Sequence, residues 1–143
     1  MTPEMNKTIV RHFMERAFNE GDLTIVDESL VPEGVDHQEP LGTNFATHLK
    51  EVITMLRTAF PDLHFEIHDM LAEGELVAFR STMTGTNRGS FQGRPPTGKQ
   101  VSVAHMHFVR LINGKTSDLW HVWDTAGLMR QLGTAAAPQP QAV

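Results

Sequence analysis

The hydrophobic period changes at Phe60-Pro61-Asp62, and this change restricts the possible fold more than any other feature of the sequence. Before it, apolar residues recur at helical spacing: Phe45, Leu49, Val52, Ile53, Leu56 and Phe60 form one stripe that Pro61 closes. Nearer the N-terminus, Thr2 is placed to cap a helix with Pro3 in its first turn and Glu4 at the positive end of its dipole. Met5, Ile9, Phe13, Met14, Ala17 and Phe18 extend that helix until Gly21 stops it. Asp22 is placed to cap a second, short helix that runs to about Ser29 and ends at Val31-Pro32. Residues 34–39 read as a short extended segment before a turn at Pro40–Gly42.

After the change the period is two. Leu63, Phe65 and Ile67 alternate with His64, Glu66 and His68, as in a half-buried strand. Glu73-Gly74-Glu75 turns the chain into a long strand, Leu76 to Thr86. Asn87 to Lys99 is a loop rich in glycine and proline. Gln100 to Ile112 and Lys115 to Trp123 are two further strands joined by the hairpin signal Asn113-Gly114, and a short helix runs from Thr125 to Leu132. Helices followed by antiparallel strands predict one α+β domain over residues 1–133, with a disordered tail at 134–143. A curved sheet wrapped by helices encloses an apolar cavity, the usual place for a small ligand.

Composition limits what could react there. The chain has no cysteine, which excludes thiolate metal sites and a cysteine nucleophile, and no tyrosine, which removes the phenol as acid, base or oxyanion donor. It has no phosphate-binding glycine loop, nucleophile elbow or zincin motif. A formal charge of −5 offers no basic face to nucleic acid or anionic lipid. No segment is apolar for long enough to span a membrane, and the N-terminus does not read as a secretory signal, so a cytoplasmic protein is expected. Eight histidines and the carboxylates remain as the reactive inventory.

The densest group lies on the last hairpin: His105-Met106-His107, then Leu119 to Asp124. His105 and His107 share a strand face with Val101, Val103, Val109 and Leu111, so they face the core or a cavity. His121 shares a face with Leu119 and Trp123. A two-residue loop at Asn113-Gly114 pairs Ile112 with Lys115 and sets His107 opposite Trp120; a loop with a glycine bulge sets His105 opposite His121 and gathers three histidines with Trp123. A lone histidine on an apolar face is ordinarily a hydrogen-bonded core residue. A second and third beside it need partners of their own when buried, which points to a site. Asp36-His37 can serve either as a turn-stabilising pair or at the pocket. His12 and His48 fall among helix surface positions, His64 and His68 face solvent, and Arg80 points outward.

In Phe18 to Asp22, Val31 to His37, Phe60-Pro61-Asp62, Pro96 to Lys99, His107, Asn113-Gly114-Lys115, Trp123-Asp124 and Gln131-Leu132-Gly133, the sequence resembles the SnoaL-like polyketide cyclases of the nuclear-transport-factor-2-like superfamily. The resemblance spans about residues 4 to 133. It implies a cone-shaped α+β barrel: N-terminal helices wrapped on a strongly bent, mainly antiparallel sheet around a deep hydrophobic pocket. It also implies intramolecular aldol ring closure without a cofactor, by an acid/base group on the last strand and a histidine on the preceding one. His107 falls on that histidine; His121 falls where the cyclases carry an aspartate. The resemblance favours the bulged hairpin, which turns both positions to the pocket.

The expected activity is thus a cofactor-independent cyclase or isomerase acting on a small hydrophobic carbonyl compound. His121 would act as base and His107 would hold the enolate oxygen, while His105, Trp123, Asp36 and His37 would shape or polarise the pocket. Two alternatives stand beside it: a metal held by His105, His107 and His121, and a non-catalytic ligand-binding module. A homodimer or higher homo-oligomer is expected through an outer face bearing Phe108, Trp120 and Val122.

Overall fold

The period change at Pro61 separates a helical half from a sheet half in the computed structural model, which describes residues 1–133. The tail expected to be disordered lies outside the described residues. Helix α1 (Pro3–Phe13) is capped by Thr2, whose hydroxyl accepts from the Met5 N–H at 3.1 Å, and it continues into one wide π-type turn over residues 14–19. Arg57 donates to the Phe18 and Asn19 carbonyls, both at 2.9 Å, and so satisfies acceptors at the end of that turn. Helix α2 (Thr24–Ser29) is followed without a break by strand β1 (Leu30–Asp36).

β1 begins earlier than the proline at position 32 suggests. It is an edge strand, and there a missing N–H costs no ladder bond. Helix α3 (Phe45–Ala59) buries the expected stripe, with Phe45, Leu49, Ile53 and Leu56 all below 7% exposed. Strands β2 (His64–Glu73), β3 (Leu76–Thr86), β4 (Gln100–Ile112) and β5 (Lys115–Trp123) then form a meander, and helix α4 (Thr125–Leu132) closes the described chain.

The sheet order is β1-β5-β4-β3-β2, antiparallel throughout except for the parallel pair β1/β5. The fold is therefore α+β, a curled five-stranded mixed sheet with the helices on its concave side. Close approach between the two halves is fixed at Gly85, where a Cβ would lie 2.8 Å from the Cβ of Phe60. No helix among the described residues is long and apolar enough to cross a membrane.

The last hairpin takes neither of the two registers considered from the sequence. Its loop is the two-residue type: Ile112 pairs with Lys115, with Asn113 and Gly114 both at positive φ. Three residues on, β5 takes in one extra residue, Ser117, between the pairs Leu111–Thr116 and Arg110–Asp118. This bulge sets His107 opposite His121 and His105 opposite Trp123. The bulge that unites the two faces is thus in the strand, not in the loop.

Candidate functional site

Between the helices and the concave face of the sheet lies a cavity of about 340 Å³. Its walls are mostly apolar, including Phe13, Phe45, Leu49, Leu56, Phe65 and Phe79. Phe65 is held in place by Asn19, which accepts from its N–H at 2.7 Å and donates to its carbonyl at 3.1 Å. On this background Asp36, His48, His105, His107 and His121 converge from β1, α3, β4 and β5, and Glu39, Ser29 and Thr116 also reach the lining. Trp123 lines the same cavity.

Asp36 is the last residue of β1, and its side chain is 3% exposed. Its two oxygens lie 3.0 and 3.2 Å from Nε2 of His121, and Oδ1 also accepts from the Gln38 N–H at 2.9 Å. Just past the end of β1, the Gln38 side chain takes the next rung of the ladder and accepts from the His121 N–H at 2.8 Å. The His121 ring is therefore fixed by both its backbone and its side chain. Burial pulls the Asp36 carboxyl upward, but hydrogen bonds from His121 and the Gln38 N–H, with the charges of His121 and His48, outweigh it. The net effect holds the group below the usual carboxylate range. An ionised carboxylate has no proton to give, so Nε2 of His121 is the protonated nitrogen. In the neutral ring Nδ1 then keeps its lone pair.

His105 and His107 are neutral for a different reason. Burial drives both down to about 3, assisted for His105 by His121, and for His107 by both other imidazoles against the partial opposition of Asp36. His107 lies flat on Phe79 at 4.5 Å, and its Nδ1 has no hydrogen-bond partner; Nε2 of His105 has none either. In the unfolded chain these rings titrate near 6.5, so on acidification the unfolded state takes up protons that the folded state refuses. Stability should therefore fall as the pH drops below 6.5 toward 3, by roughly 2 kcal/mol per ring at pH 5. Urea titrations of wild type and a His105→Phe, His107→Phe double variant at pH 7.5 and 5.0 check this: the wild type should lose much more than the variant between the two pH values.

The three hairpin imidazoles do not form a metal tripod. Their rings stack, His105 on His107 at 5.6 Å and 13°, and His107 on His121 at 6.0 Å and 16°, so their nitrogens do not point at a common centre. Among the described residues, Asp36, Glu39 and His48 are the group that offers three ligand atoms within 4.8 Å of one another. As they stand they are paired with each other, His48 Nε2 lying 3.1 Å from Glu39 and 3.5 Å from Asp36.

His37, expected beside Asp36 at the pocket, is on the opposite side of the chain. Neighbours along an extended segment point to opposite faces, and His37 stacks on Trp120 at 4.4 Å and binds Asp118 at 2.9 Å on the outer face. That outer face also exposes Met106, Phe108 and Val122. His48, expected on a helix surface, lines the cavity instead. It follows Phe45 by three residues and precedes Val52 by four, a spacing that already put it on the buried stripe. Asp118 and Arg80 stay outside the cavity; Arg80 pairs with Asp69 at 2.6 Å.

A family model described as SnoaL-like polyketide cyclase matches residues 8–132. The chain is 30% identical over 139 residues to the aklanonic acid methyl ester cyclase DauD of Streptomyces sp. (strain C5), covering 93% of this chain and 83% of that protein. It is 28% identical over 126 residues to the nogalonic acid methyl ester cyclase of Streptomyces nogalater, covering 84% and 92%. The solved structure of TsrD from Streptomyces laurentii is similar over 94% of this chain and 99% of that one, with a TM-score of 0.85 and 27% identity.

Proposed function

The chain belongs to the SnoaL-like polyketide cyclase family, and on that footing we propose that it closes a ring within a neutral, esterified polyketide by an intramolecular aldol reaction that needs no cofactor. The observation that carries this reading is the Asp36–His121 pair, 3.0 Å apart on the wall of a mostly apolar cavity. Nδ1 of His121 removes a proton from a carbon activated by adjacent carbonyl groups. The resulting carbanion attacks a second carbonyl of the same molecule and forms the new carbon–carbon bond. The alkoxide so formed takes the proton back from His121, so the reaction is an isomerisation and the base is restored.

Asp36 acts as the orienting group. Its oxygens are occupied by His121 and the Gln38 N–H, which suits it to holding the ring and stabilising the transient imidazolium. His107, uncharged and on the wall of the same cavity, hydrogen-bonds the enolate oxygen as charge develops there. The apolar walls hold the chain folded on itself, so that the reacting carbons meet as neighbours.

Electrostatics gives the reason for an ester. Among the described residues no lysine or arginine lines the cavity, and the carboxylates on its wall are those of Asp36 and Glu39. A free carboxylate entering it would lose water and meet only like charge. Aklanonic acid methyl ester, the compound named for one relative, is the first substrate to try. Its conversion should yield an isomer of unchanged mass with one more ring, and kcat/KM for the free acid should be about 10²-fold lower. Equal rates for acid and ester would contradict the assignment. Tight binding of the ester with no turnover would favour a binding module instead.

A further inference from the structure

Where the chain passes from β1 to α3, two carboxylates and an imidazole meet at the cavity wall. Asp36 ends β1, and its carbonyl accepts from the Glu39 N–H at 3.1 Å, a turn that keeps the two acidic residues together. His48 enters from α3, whose first turn is fixed by the Asn44 side chain accepting from the Thr47 N–H at 2.9 Å. Nε2 of His48 lies 3.1 Å from Oε1 of Glu39 and 3.5 Å from Oδ2 of Asp36, and these three residues offer their ligand atoms within 4.8 Å of one another. Zinc bound tetrahedrally at its usual distances holds neighbouring ligand atoms about 3.3 Å apart, between the two spacings found here. Toward Asp36, His48 acts through its charge, whereas His121 supplies the side-chain hydrogen bond. Each carboxylate oxygen has two lone pairs, so Oδ2 can keep His121 and still bind a cation.

We propose that Asp36, Glu39 and His48 form a zinc-binding site that restrains the catalytic pair. One imidazole with two carboxylates suits zinc, while calcium takes six to eight oxygens and magnesium keeps most of its water. Three protein ligands leave a fourth position for water, and all three residues line the cavity. The oxygen that would bind the ion is the one 3.0 Å from Nε2 of His121. A cation there draws on the negative charge that stabilises the imidazolium, so bound zinc slows ring closure. Only this effect on turnover rests on the cyclase reading; the site itself rests on the three donor atoms.

The test titrates zinc into the full chain, purified without an affinity tag, and follows binding by calorimetry. Wild type should bind one ion per chain, and Glu39→Gln and His48→Phe should each weaken it at least about tenfold. His64→Ala, a change at an exposed histidine outside the cavity, should leave the affinity unchanged. Equal affinity in wild type, Glu39→Gln and His48→Phe would place the ion elsewhere and overturn the site, as would the lack of saturable binding to wild type. A second measurement needs no variant: the 15N resonance of His48 Nε2 in wild type should move on adding zinc and return on adding EDTA. An unmoved resonance would overturn the proposal even if the variants did not fold. Turnover should fall over the same zinc range as binding and recover with EDTA; an ion bound at His48 that left turnover unchanged would overturn the restraint. Zinc bound at His48 in a protein that closes no ring would support the site and count against the cyclase assignment alone.

Discussion

Replacing His121 by alanine should slow ring closure by roughly 10²–10⁴-fold, the range associated with one well-placed general base, while leaving the fold intact. His121 is only partly buried, and the ladder bond from its own N–H to Gln38 uses the backbone, which alanine keeps. The loss should therefore fall on kcat, with the circular dichroism spectrum and the affinity for a non-reacting ligand close to wild type. Imidazole added to the buffer should restore part of the rate, because the cavity would then hold a vacant ring-sized space beside Asp36. A variant that turned over at the wild-type rate would remove His121 from the mechanism.

Asp36→Asn tests the orienting half of the pair and should cost on the order of 10²-fold or more in kcat. The change keeps size and hydrogen-bonding capacity, so the packing has no reason to move. It does invert the roles in the bond. An amide N–H would donate to Nε2 of His121, and the proton of the neutral ring would then sit on Nδ1, where the base needs its lone pair. The variant would also lack the negative charge that stabilises the imidazolium once it forms. The expected signature is a large fall in kcat with little change in KM; a fall confined to KM would mean that Asp36 serves in binding.

These two predictions depend on a contact that no local pattern in the sequence announces. Asp36 and His121 are 85 positions apart and meet only because the first and last strands pair in parallel at the sheet edge. What was legible was local. The α3 stripe, the alternation of β2 to β4 and the Asn113-Gly114 turn all follow from periodicity and backbone preference, and the structure contains them. The helix and strand sequence likewise placed His105 and His107 on one inward face.

The register of β5 was not legible, because a bulge at Ser117 has no composition signal of its own and a single extra residue reverses every side chain beyond it. His48 was legible and misread: its place between Phe45 and Val52 argued for the buried face, but its polarity suggested the surface. His37 was misassigned for the opposite reason, since strand alternation forbids it from sharing the cavity with Asp36. The carboxylate that faces His121 is brought in from β1.

The most direct test of proton abstraction by His121 separates that step from ring closure. A substrate analogue that keeps the acidic carbon but lacks the carbonyl it would attack can be ionised and reprotonated, yet cannot cyclise. Incubated with wild type in deuterium oxide, it should take up deuterium at that carbon, and with His121→Ala the uptake should fall to the rate without enzyme. Equal deuterium uptake by wild type and His121→Ala would contradict the assignment of His121 as the base.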